Sequence, residues 1–152
     1  MSTIGFDTSN YTTSTAWTDG KTDINVRQIL YVKDGERGIR QSDGVFQHMK
    51  LMPVMYEKLS EQIDFKDVKA VGVSTRPRCV EGSYMPVFLA GEGYAKVVAN
   101  TVGVPLYEFS HQDGHIMAGI YSSGSFELLE NDFISVHLSG GTTEILKSRH
   151  NG

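Results

Sequence analysis

The sequence predicts an α/β fold: a mixed sheet with helices packed against it. Three observations carry that expectation. Residues 3–32 read as short strands joined by tight turns; from residue 46 onward helical stripes alternate with short apolar strands; and the chain closes on two strand patterns around a Ser-Gly-Gly turn. An antiparallel meander followed by strand–helix–strand alternation requires both kinds of strand pairing, because parallel neighbours need a crossover and hairpins do not.

The opening strand spans Thr3–Thr8, where Ile4 and Phe6 alternate with small or polar neighbours and Ser9-Asn10 marks a turn. Tyr11–Thr18 is rich in β-branched and aromatic residues and ends at Asp19-Gly20, a strong turn signal. Ile24–Val32 completes the meander, and the charged, glycine-bearing stretch Lys33–Gly44 reads as a loop. Phe46, Met49, Met52, Met55, Tyr56, Leu59 and Ile63 then fall on one helical stripe, with Ser42 or Asp43 placed to cap its start. Pro53 inside that stripe predicts a kink near Met49, or a later helix start. Val68–Thr75 is a short apolar strand, and Pro86–Gly103 is helical again, with Pro86 in its first turn and Gly103 as its stop. A strand at Pro105–Phe109, a helix from His111 to about Tyr121, and strands at Phe133–Leu138 and Thr142–Lys147 follow. Asn151-Gly152 is a hairpin-turn signal with no strand after it, which fits a chain cut short and fits a disordered tail equally.

The 152 residues suffice for one domain with a real core but not for two full-sized lobes. A hydrophobic share of 39% with 21% charged residues excludes a disordered chain. A net charge of −4 weighs against unaided nucleic-acid binding, which calls for a basic face. Cys79 is the single cysteine, so no intrachain disulfide forms, as suits a reducing compartment. No signal-peptide pattern opens the sequence, and no apolar run approaches the roughly 20 residues a membrane span needs. The expectation is a soluble cytoplasmic protein.

Ser110-His111-Gln112-Asp113-Gly114-His115 is the sharpest constellation. With Ser110 as N-cap, a helix here places His111 and His115 at i and i+4 on one face, close enough to share a metal ion. Two ligands do not close a site, so a third donor must come from elsewhere; the competing reading is a surface or capping histidine pair. Asp113 points away from the pair on such a helix. The turn Ser139-Gly140-Gly141-Thr142 offers open backbone N–H groups and hydroxyls that can cradle phosphate, although the same residues describe an ordinary hairpin. Asp7-Thr8-Ser9-Asn10 is a similar turn at the end of the first strand. Arg76 and Arg78 follow a buried strand, where α/β folds place ligand loops, and can neutralise an anion; a solvated loop explains them equally well. Basic neighbours favour the thiolate of Cys79, yet no general base adjoins it, so no catalytic thiol is expected. His48 in its helix and His137 in its strand read as structural.

In this order the segments resemble the threonylcarbamoyl-transferase family of tRNA modification, also called the glycoprotease or O-sialoglycoprotein endopeptidase family. Asp7-Thr8-Ser9 resembles the family's Glu-Thr-Ser hairpin, and Gln47-His48 through Pro53 its helix with a histidine and then a proline. Val71–Thr75, the helix to Gly103, Val104-Pro105 and His111 to His115 resemble the run into its His-x-x-x-His, and Ser139–Thr143 its Ser-Gly-Gly-His-Thr turn. The resemblance covers essentially the whole chain but about the N-terminal half of a family member.

It implies an actin/hexokinase-like (ribonuclease H-like) fold of two lobes clasping a nucleotide. Residues 1–131 would form the first lobe, and 132–152 the first hairpin of an incomplete second. It also implies a divalent metal, iron or zinc, on His111, His115 and an aspartate beyond Gly152, and phosphate of ATP or an adenylate on Ser139–Thr142, with Ser9 and Asn10 nearby. The implied reaction moves a threonylcarbamoyl group from an adenylate to N6 of an adenosine beside the tRNA anticodon, the tRNA being met by the complete protein or partner subunits. The departures are specific. Tyr11-Thr12-Thr13 replaces an acidic run, Arg76-Pro77-Arg78 replaces a Gly-Pro-Gly loop, and Thr142 replaces the turn histidine. The sequence therefore reads as the N-terminal part of a divergent transferase, inactive as this chain alone. Its rivals are a non-catalytic scaffold or dimerisation subunit of the same fold and, more weakly, a metalloprotease. Uncovered apolar surface predicts a homodimer or other self-association.

Overall fold

A computed structural model describes residues 1–138 and 143–149. Its elements are β1 (Ser2–Asp7), β2 (Thr12–Thr18), β3 (Asp23–Ile29), α1 (Gln41–Ser60), β4 (Val68–Arg76), α2 (Phe88–Val102), β5 (Leu106–Ser110), α3 (His111–Ser123), β6 (Phe133–Leu138) and β7 (Thr143–Ser148). Short 3₁₀ turns at Phe65–Asp67 and Phe126–Glu130 were not expected from the sequence. The chain divides into two compact units, Met1–Gln112 and Asp113–Gly152. This partition follows neighbours within the chain, whereas the lobes expected at 1–131 and 132–152 presuppose a complete two-lobed fold. Among the described residues no helix is long and apolar enough to cross a membrane.

In the first unit, a five-stranded sheet runs in the order β3-β2-β1-β4-β5. The meander pairs are antiparallel, and β1/β4 and β4/β5 are parallel, as the order of elements demanded. The Asp19 carboxylate fixes the β2–β3 turn by accepting from the Lys21 and Thr22 N–H groups at 2.8 and 2.7 Å. That sets the register Thr18↔Asp23 through Thr12↔Ile29. Ile4 and Phe6 of β1 and Val71 and Val73 of β4 meet Met52 and Leu59 of α1 and Ala95, Val98 and Ala99 of α2 in one buried core. Period-2 alternation in the strands and the apolar stripes of both helices deliver these side chains to that core.

Two helix starts differ from expectation. α1 begins at Gln41, with Arg40 at the N-cap making no side-chain cap bond, so Ser42 and Asp43 lie within the first turn instead of capping it. Asp43 there still sets negative charge against the amide end of the helix. α2 begins at Phe88, while Pro86 accepts from the Leu89 N–H at 3.1 Å in the turn leading in. Gly103 ends α2 in the left-handed conformation at φ 75°, as a C-terminal stop requires.

Pro53 sits inside α1 without ending it. A proline has no N–H for the carbonyl four residues earlier, which is that of Met49. The Tyr94 hydroxyl of α2 donates to the Met49 oxygen at 2.9 Å and supplies the missing bond.

In the second unit, β6 and β7 form an antiparallel pair from Phe133↔Ser148 to Leu138↔Thr143. Phe133, Ser135 and His137 lie on its half-buried face, and Ile134, Val136, Leu138 and Ile145 on its exposed one. The expected terminal turn Asn151-Gly152 lies outside the described residues.

Candidate functional site

Three parallel strands end at one edge of the five-stranded sheet. The register Phe6↔Val73, Ser74↔Phe109 and Arg76↔Ser110 brings Asp7, the Ser74–Arg76 segment and Ser110 to that edge. β5 passes into α3 without a loop, so His111 stands immediately after the buried Ser110. The carboxyl ends of parallel strands are where such sheets hold ligands, because the backbone turns outward there.

The Asp7 carboxylate is the hub of this edge. Its Oδ2 lies 2.8 Å from Nδ1 of His111, and its Oδ1 accepts from the Ser9 N–H at 2.8 Å. Burial pushes the Asp7 carboxyl up, but the hydrogen bond and charge of His111, with smaller contributions from Ser74 and Ser9, outweigh it and hold the group at about 2. Asp7 is therefore ionised at neutral pH. The next residue, Thr8, is fully buried; its hydroxyl donates to the Val87 carbonyl at 2.9 Å and accepts from the Gly91 N–H at 3.0 Å. A Cβ at Gly91 would stand 2.8 Å from that hydroxyl, so only glycine allows β1 and α2 to approach this closely. The Phe88 ring lies 6.2 Å from the His111 ring, giving the imidazole an apolar neighbour.

His48 of α1 is buried. Its Nδ1 is 2.8 Å from the buried Thr13 hydroxyl, and its Nε2 is buried without a hydrogen-bond partner. Burial lowers its pKa to about 4, against a smaller opposing pull from the negative Asp7. It is a neutral packing residue, in keeping with the structural role expected of a histidine within this helix.

Ser9 and Asn10 are half-buried in the turn after β1, where the Ser9 carbonyl accepts from the Thr12 N–H at 3.2 Å. Arg76 is half-buried; its guanidinium donates to the Thr75 hydroxyl at 3.3 Å and lies 3.9 Å from the Cys79 sulfur. Arg78 is exposed, with its N–H bonded to the Ser83 hydroxyl at 2.9 Å. Only Arg76 is aligned with the edge through its pairing to Ser110. Ser139, Gly140, Gly141 and Thr142 lie outside the described residues.

α3 carries His111 as its first residue and His115 one turn later. In the second unit the His115 ring lies 5.3 Å from the His137 ring, and Nδ1 of His137 is 3.9 Å from the carboxylate of Glu144, its cross-strand partner. His111, backed by the Asp7 carboxylate, is the kind of imidazole donor that suits divalent iron or zinc. Among the described residues no three His, Cys, Asp or Glu side chains are grouped to hold a metal. Two contacts escaped sequence reasoning. The acidic end of the first strand was visible, but its bond to a residue 104 positions away depends on sheet order. His137 carried no signal beyond strand alternation.

Comparison with known proteins places these features in context. The model for "TsaD: tRNA N6-adenosine threonylcarbamoyltransferase" matches residues 35–152. Among curated tRNA N6-adenosine threonylcarbamoyltransferases, that of Christiangramia forsetii is 32% identical over 98 residues, 64% of this chain and 27% of its own. That of Pyrobaculum calidifontis is 28% identical over 144 residues, 93% of this chain and 40% of its own. The chain thus spans well under half the length of these curated relatives. Among solved structures, YeaZ from Pseudomonas aeruginosa superposes with a TM-score of 0.54 at 13% identity, over 97% of this chain and 65% of that one. A likeness at that identity concerns fold: the mixed five-stranded sheet with flanking helices is of the actin/hexokinase-like class.

Proposed function

This chain belongs to the tRNA N6-adenosine threonylcarbamoyltransferase (TsaD) family, and from that premise we propose that it supplies a metal-holding, phosphate-contacting part of a threonylcarbamoyl-transfer site. The observation that carries this reading is the Asp7–His111 bond at the shared edge of three parallel strands. His111 and His115 would be two ligands of a divalent cation, iron or zinc. Such a cation, when bound, supplies positive charge that polarises phosphate and carbamoyl oxygens. Ser9, Asn10 and Arg76, with Ser139–Thr142, would contact the phosphate of ATP or an adenylate, and Arg78 would add longer-range attraction. Transfer to tRNA, in the cytoplasm, would belong to the complete protein or to partner subunits.

Metal analysis of the purified protein tests this reading. About one equivalent of iron or zinc is expected in the wild type, with His111→Ala and His115→Ala each losing most of it. A wild type that takes up neither metal sinks the proposal. A scaffold or dimerisation role in the same fold is favoured by one observation: Thr13, where the family has an acidic run, is fully buried against His48 and cannot reach a ligand. Adenine-nucleotide titration of the wild type separates the two, since a scaffold binds none.

A further inference from the structure

The Asp7–His111 contact joins the last residue of β1 to the first residue of α3. A carboxylate has only acceptors, so the hydrogen at this 2.8 Å contact belongs to Nδ1 of the imidazole. A neutral ring then has its lone pair on Nε2. The two ring nitrogens point to different flanks, so a carboxylate engaged at Nδ1 does not also reach an ion seated at Nε2.

Asp7 itself has little freedom to rearrange. Its second oxygen is tied to the Ser9 N–H, and the adjoining Thr8 is clamped to the Val87 carbonyl and the Gly91 N–H. β1 is held between β2 and β4, so the carboxylate stands on an inner strand of the sheet. The His111 ring, with Phe88 as a neighbour, meets a fixed acceptor instead of a mobile one.

We infer that Asp7 is a positioning residue for His111: it holds the imidazole as the Nδ1–H tautomer, aims Nε2 at a divalent cation, and is not itself a ligand. This rests on the metal reading above and assigns a role within it. Carboxylates behind ligating histidines act in this way, fixing ring orientation and raising donor strength. The same residue pair in a purely structural role would lose stability on removal of the carboxylate while zinc affinity stayed as it was.

The test uses the full chain with nitrogen-15-labelled histidine, metal-free, in a buffer where the ring is neutral. Wild-type His111 is expected to show the nitrogen pattern of the Nδ1–H tautomer. In Asp7→Ala it should move to the Nε2–H form that free imidazole side chains prefer, and Asp7→Glu should restore part of the wild-type pattern. Zinc affinity by calorimetry is expected to fall about 10- to 100-fold in Asp7→Ala, with the circular-dichroism spectrum unchanged. An Nε2–H pattern in the wild type, or zinc affinity unaltered by Asp7→Ala, overturns the inference. Should the wild type bind no zinc, the metal reading falls by that result, and the tautomer measurement alone decides what Asp7 does to His111.

Discussion

His48 shows how one buried side chain couples the fold to pH. Burial lowers its pKa from 6.5 to about 4, so the unfolded chain takes up a proton that the folded chain refuses in between. Where the unfolded state binds more protons, stability falls as pH falls. The contribution of His48 is therefore whole above pH 6.5 and lost progressively toward pH 4, at a slope of at most about 1.4 kcal/mol per pH unit. Asp7, lowered from 3.8 to about 2, adds a loss only below that window. His48→Gln keeps a polar partner for Thr13 but does not titrate. Its melting temperature should decline less than that of the wild type between pH 7 and pH 5, and equal declines would disprove the assignment. The expected stripe ran through Phe46 and Met49, which are exposed, and did not include His48, which is buried on the same face as Met52, Met55 and Leu59. Thr13, the partner of His48, lies on another element and was not legible from the stripe.

At the scale of elements, local pattern found the strands and helices but not every boundary. The stripe from Phe46 missed the first turn of α1, where Gln41 to Gly44 is helical without an apolar signal. Pro53 was legible as an interruption; its remedy was not, because the remedy is a tyrosine on a different helix. Tyr94→Phe should destabilise the protein by about 0.5–1 kcal/mol in urea unfolding, the net worth of one partly exposed hydrogen bond. In a Pro53→Ala background the Met49 carbonyl regains a donor from its own helix, so the same change should cost nearly nothing. A double-mutant cycle reads this directly, and equal costs in both backgrounds would refute the coupling.

At the scale of the whole molecule, the order of strands and helices was legible because antiparallel turns and crossover helices leave different marks in sequence. The contacts of the candidate site were half legible. His111, His115 and the acidic turn announce themselves, but which acid meets which histidine is settled by β1 lying beside β4 and β4 beside β5. The β6–β7 pair exposes Ile134, Val136, Leu138 and Ile145, with Val136 opposite Ile145. A face of this kind on an otherwise acidic chain should find a second copy of itself. Light scattering at micromolar concentration is expected to show dimers or larger species, and Val136→Lys with Ile145→Lys to reduce them. A wild-type monomer would end that expectation.

The contacts that build the site are also among the most distant along the chain. Thr8 reaches Val87 and Gly91, and Asp7 reaches His111 across 104 positions, whereas the meander closes through neighbours. Contacts that close long loops carry the largest entropic cost and tend to form after local ones have shortened the path. During refolding, then, the β1–β3 hairpins and both long helices can be in place while Asp7 and His111 are still apart. A chain caught at that stage would look nearly native by far-ultraviolet spectroscopy and have no site at all.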